Sequence, residues 1–151
     1  MTFFNSYFFI VLAIVAGMMM PTQAAINSKL ANEVNGPILA AFISFVVGTL
    51  ALLVYILLTG VPLGNLAQLK NASLVSWTGG FLGAFFVASA VVLVPKLGVA
   101  LTFSLLIAGQ MLITLVLDHY GFLGVPVKEV NIQRFLGVLL IVGGAVLIRK
   151  F

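Results

Sequence analysis

Five long apolar runs fill almost the whole chain, separated by short stretches rich in Gly, Pro, Asn and Lys. The first covers residues 3–34. Its opening is apolar as far as Pro21, and TQAAINSKLANEVN then keeps a helix-compatible pattern that is polar on one face. Pro21 removes one backbone hydrogen bond near the middle, so this element is expected as a tilted or kinked helix. The alternative is a helix ending at Pro21 and followed by a second one lying on the membrane surface. Asn35, Gly36 and Pro37 close the first run and open the second, residues 37–58. TGVPLGN makes a loop, and the third run covers 74–94. Pro95, Lys96, Leu97 and Gly98 form a tight connection to the fourth, 99–117. Asp118, His119, Tyr120 and Gly121 close that run, GFLGVPVKEV is a Gly/Pro loop, and the fifth run covers 132–148. None of the runs alternates as a barrel strand would. All are expected to be helices, because backbone polar groups facing lipid must be satisfied within the segment.

Composition turns this pattern into a membrane protein. Hydrophobic residues make up 63% of the 151 residues and charged residues 7%, against about 25% charged in soluble domains. There is too little polar surface to cover a water-soluble globule, and the length suits a single domain. The opening MTFFNSY carries no Lys or Arg, so the first run is expected to be a retained helix and not a cleaved leader. The net charge of +4 comes from basic residues scattered singly, which argues against a nucleic-acid partner. No cysteine is present, and one His with three acids leaves too few ligands for a protein-built metal site; no cofactor is implied. Lys70, Lys128 and Arg134 fall on one side of the membrane and Lys29, Lys96, Arg149 and Lys150 on the other, three against four. Orientation normally follows an excess of Lys and Arg in cytoplasmic loops. So small a difference predicts a chain able to insert both ways.

Residues four apart share a helix face. In the fourth run Thr102, Gln110, Thr114 and Asp118 form one polar stripe, expected to line a cavity, while Ala100, Ser104 and Ala108 form a small-residue stripe suited to close packing. The bland alternative has the threonine hydroxyls bonded to their own backbone. Gln23 and Asn27, four apart beyond Pro21, are candidates for the same cavity, since amides inside a membrane need a partner or water; an interfacial helix surface would also place them. Met18, Met19 and Met20 suit packing or an adaptable apolar wall. Gly79 and Gly83, with Gly80, Ala84 and Ala88, give a G-x-x-x-G packing pattern. Ala40, Ser44 and Gly48 repeat it in the second run, and Gly137, Gly143 and Gly144 supply small residues in the fifth. Asp118 and His119 lack a serine or second carboxylate placed for a triad, so no enzyme is expected. Asp118 serves structure, proton handling or cation attraction, or pairs with a nearby cation. Lys29 and Glu33 make a solvated i,i+4 pair.

The segments QAAINSKL, GPILAAFISFVVGTLAL, SWTGGFLGAFFV, PKLGVALTFSLLIAGQ, DHYGFLG and RFLGVLLIVGGAVL resemble the YdcZ family of the drug/metabolite transporter superfamily. The resemblance implies a five-helix half of a ten-helix fold whose halves are inverted, with substrate bound at their interface. It implies an inner-membrane transporter of a small metabolite or lipophilic compound, completed by an antiparallel homodimer or by a paralogous five-helix chain. Relatives in the small multidrug resistance group bind cations through a glutamate of the first helix; the apolar part of the first run here has no acid. A small neutral or weakly polar metabolite, or a lipophilic cation held by aromatics, therefore fits best. The alternatives are a dual-topology ion channel, which TGGFLGAFF faintly resembles, and a non-transporting membrane assembly or lipid-binding subunit.

Overall fold

The computed structural model describes residues 3–150, with side chains from Ser6 onward. Met1 and Thr2, which open the uncharged MTFFNSY, lie outside the described residues. Five α-helices follow one another: α1 (Phe3–Glu33), α2 (Pro37–Thr59), α3 (Leu74–Leu97), α4 (Val99–Tyr120) and α5 (Ile132–Lys150). Among the described residues these are the five long and apolar enough to cross a membrane. Short 3-10 segments, Leu63–Asn71 and Phe122–Gly124, occupy the connections after α2 and α4. The outer surface is what lipid requires, with Leu58 82% and Leu74 87% exposed.

The helix ends follow backbone chemistry more than polarity. α3 was expected to stop before Pro95 but runs through it to Leu97, and α4 passes Asp118 to reach Tyr120. Proline in a last turn forfeits a single hydrogen bond, and carboxylates and imidazoles are tolerated there. The stops are glycines with positive φ: Gly98 at 78° between α3 and α4, and Gly121 at 64°, whose N–H donates to the Leu117 carbonyl. α1 is unbroken across Pro21. Its 31 residues extend about 46 Å, more than the ~30 Å hydrocarbon core, so a helix that spans must tilt or project into the head-group layer.

The chain divides into two compact units, Met1–Pro95 and Lys96–Phe151. In the first, α1 folds back on α2 through the turn at Val34–Gly36, where Asn35 takes φ 54°. Ala24, Asn27, Ala40 and Ala41 are buried there, small enough to bring two helices close. In the second, α4 packs on α5, and Thr102, Phe103, Ala108, Val138 and Ala145 are the buried residues of these helices.

Candidate functional site

Two places collect polar side chains, one in each unit. In the first unit a groove of about 530 Å³ runs between α1 and α2, within the size range of small-molecule sites. Its walls are mostly apolar and include Met19, Met20, Ile26 and Val47. Among the described residues, polar groups enter only from Thr22, Gln23, Asn27 and Ser44, and no charged residue lines it. Asn27 is only 4% exposed, and its Nδ2 donates to the Ser44 hydroxyl at 3.1 Å. The Thr22 hydroxyl donates to the Met18 carbonyl at 2.9 Å, one residue beyond the Gly17 carbonyl that Pro21 leaves without its N–H. Gln23 is exposed and stands between this groove and a smaller one of about 220 Å³ bounded by Ser44, Phe45, Gly48, Thr49 and Val87.

The second place is the loop end of α4. Arg134, in the first turn of α5, forms an ion pair with Asp118. Its other guanidinium nitrogen donates to the Lys128 carbonyl at 2.6 Å and to the Glu129 carbonyl at 3.4 Å. The Lys128 amide donates to the Asp118 backbone carbonyl at 2.8 Å, and the Val130 amide to His119 Nδ1 at 3.3 Å. Asn131 caps α5 by accepting from the Arg134 amide at 2.9 Å. Gly121 sits inside this knot: a Cβ added there would stand 2.7 Å from Val127 Cγ2.

The stripe expected along α4 is not uniform. Thr102 is 1% exposed, and its hydroxyl donates to the Gly98 carbonyl at 2.7 Å. The Thr114 hydroxyl likewise donates to the Gln110 carbonyl at 2.7 Å. Both are bonds to their own backbone. The Gln110 side chain is exposed halfway along α4 and makes no hydrogen bond among the described residues. On the small-residue stripe, Ala108 is buried, Ser104 is half-buried with its hydroxyl on the Ala100 carbonyl at 2.8 Å, and Ala100 is exposed. Among the residues expected in close packing elsewhere, a Cβ at Gly83 would meet Phe45 at 3.7 Å, whereas Gly48 and Gly79 have nothing within 4 Å and Ala84 is exposed. Ser44 serves Asn27 instead of a bare helix contact.

Gln23, Asn27 and Ser44 are thus brought together in the first unit, and Gln110 with Thr114 in the second. Sequence reasoning missed the Asn27–Ser44 pair, which no spacing rule reveals. It also missed Arg134 as the partner of Asp118, although an acid closing one helix and a base opening the next in a hairpin would have suggested it.

No curated protein and no solved structure matches the chain. A family model described as "Putative inner membrane exporter, YdcZ" matches residues 8–147. That stretch reaches into all five spanning helices; the chain belongs to the YdcZ family and is an integral protein of the inner membrane.

Proposed function

We propose that the chain exports a small metabolite or lipophilic compound, along a pathway formed where two five-helix units of opposite orientation meet. The observation that carries this reading is a pair of unsatisfied amides on apolar spans. Gln23 and Gln110 are exposed and without a hydrogen bond among the described residues. Facing hydrocarbon, each would cost several kcal/mol (roughly); facing a cavity, water or substrate satisfies it. The second unit is another copy of the chain or a paralogous one, and the three-against-four division of basic residues supports opposite insertion. In this reading Gln110 contacts what passes, because its amide both donates and accepts. Gln23 and Asn27 line the α1 side. Thr114 presents only an acceptor. Thr102 and Asp118, already satisfied by Gly98 and Arg134, frame the path.

The chain has no native cysteine, so single cysteines can be placed along α4 without a prior background change. In membranes, positions 110 and 114 should react with aqueous thiol reagents while 104 and 108 resist. The reverse pattern means that α4 is turned the other way and the pathway fails. In cells lacking their own exporters, expression should lower accumulation of some members of a compound panel in a saturable manner, and Gln110→Leu should weaken this without loss of folded protein. Non-saturating ion flux would identify a channel instead, and no flux of either kind a structural subunit.

A further inference from the structure

The α1/α2 groove contains a polar group that is buried, held in place and still half unused. One end of the Asn27 amide is pinned by Ser44 at 3.1 Å. Either end can be the pinned one, since oxygen and nitrogen exchange roles if the amide is turned over and the serine hydroxyl can donate or accept. The other end has no hydrogen bond among the described residues. No described side-chain nitrogen or oxygen is both shut off from solvent and unpartnered. The free end therefore keeps some access to solvent, on a residue 4% exposed that is itself part of the groove's lining. A side chain so enclosed has already lost its rotamer freedom, so a ligand that bonds to it incurs little further ordering cost.

We infer that this groove binds an uncharged amphipathic molecule, its hydrogen-bonding head on the free end of the Asn27 amide and its apolar body along Met19, Met20, Ile26 and Val47. The inference rests on the transport reading for its purpose, as the α1 side of the same pathway, but its chemistry is independent of it. Three features select the ligand class. Among the described residues the lining has no Asp, Glu, Lys or Arg, so an ion entering it would lose hydration without a counter-charge. The walls include two methionines, unbranched and polarisable, which adapt to apolar bodies of different shape. A single fixed amide satisfies one head group and fixes which end of the ligand points inward.

The test uses the full chain in nanodiscs and three fluorophores of matched body: dansyl amide, which is neutral, its trimethylammonium-ethyl derivative, a cation, and dansyl glycine, an anion. Dansyl amide should bind saturably, with the two ions at least tenfold weaker. Asn27→Leu should weaken dansyl amide about tenfold, and Asn27→Asp should invert the preference toward the cation, a change that general loss of packing does not produce. Location is read separately in Val47→Cys, where dansyl amide should slow maleimide labelling. Equal binding of all three fluorophores, or labelling unaffected by dansyl amide, overturns the inference whether or not the Asn27 variants fold. Protection that follows protein concentration instead of the fluorophore overturns it too, since the occupant would then be a second copy. None of these outcomes touches the α4 accessibility pattern or compound efflux, so the transport reading stands or falls apart from this one.

Discussion

Cutting the Asp118–Arg134 pair should loosen the α4–α5 hairpin at its loop end. Arg134 holds three things at once: the Asp118 carboxylate and the carbonyls of Lys128 and Glu129. The Lys128 amide returns to the Asp118 backbone, so the loop is tied both to the end of α4 and to the start of α5. The side chains of Arg134 and Asp118 are 29% and 22% exposed. This lies between the surface regime, where ion pairs contribute about 0–1 kcal/mol, and full burial, where removing one partner costs about 3–5 kcal/mol. Asp118→Ala should accordingly destabilise by about 2 kcal/mol. Asp118→Asn, which keeps the shape and an acceptor, should lose about 1 kcal/mol. For a chain of this length 1 kcal/mol moves Tm by roughly 2–4 °C, so the alanine variant should melt about 4–8 °C lower in detergent, followed by circular dichroism.

The decisive measurement is the cycle of Asp118→Ala, Arg134→Ala and the double variant. The double variant should be less damaged than the sum of the singles by about 1–2 kcal/mol, because each single leaves a half-buried charge behind. Arg134→Lys keeps the charge but cannot fork between a carboxylate and two carbonyls, and should recover only part of the loss. If the two alanine substitutions add within about 0.3–0.5 kcal/mol, the residues act independently and Arg134 does not tie the loop through Asp118.

Gly121→Ala should destabilise more than Gly124→Ala, because both have positive φ but only at Gly121 would the new methyl meet Val127 at 2.7 Å; Val127→Ala should relieve the excess in thermal melts. Ala108→Leu should lower the yield of folded protein by overpacking a buried position, at a cost of about 1–3 kcal/mol. Replacing Arg149 and Lys150 by neutral residues leaves Lys70, Lys128 and Arg134 against Lys29 and Lys96. A reporter cysteine labelled from each side should then show the loop bearing Lys70 shifted to the cytoplasm, and an unchanged distribution would mean that charge does not set orientation here.

The five helices were legible because lipid demands long apolar runs, and Gly, Pro or Asn stands in or beside each of the four connections between them. What misled the reading at two ends was treating a proline and a carboxylate as stops. Pro95 and Asp118 lie inside the last turns of α3 and α4, and the chain turns only where Gly98 and Gly121 adopt positive φ. The candidate site was legible in proportion to how local its geometry is. Gln23 and Asn27 share a groove because they lie one helical turn apart, which spacing predicts. Ser44 meets Asn27 only because the turn at Asn35 and Gly36 sets the register of α2 against α1, and the backbone conformation of that turn is invisible in a hydropathy pattern. Along α4 spacing reaches its other limit: it puts residues on a face, but a threonine can satisfy itself on the carbonyl four residues back, as Thr102 and Thr114 do.

That self-satisfaction sharpens what remains. Once Thr102, Thr114, Thr22 and Ser104 are bonded to their own helices and Asp118 to Arg134, the polar groups within the spans that still need a partner include two exposed glutamines and the free end of Asn27. The two glutamines alone, set against hydrocarbon at several kcal/mol each (roughly), would rival the 5–15 kcal/mol or so by which a whole domain is usually stable. A chain so composed is stable in a bilayer only if these amides meet something other than lipid. A packing partner would give each one fixed bond and exclude water, whereas a pathway leaves them wet and exchangeable. The two arrangements differ in a single observable, access of aqueous reagents to positions 23 and 110. If both positions are sealed in the assembled protein, the amides are adhesive and the route for substrate must be sought away from them.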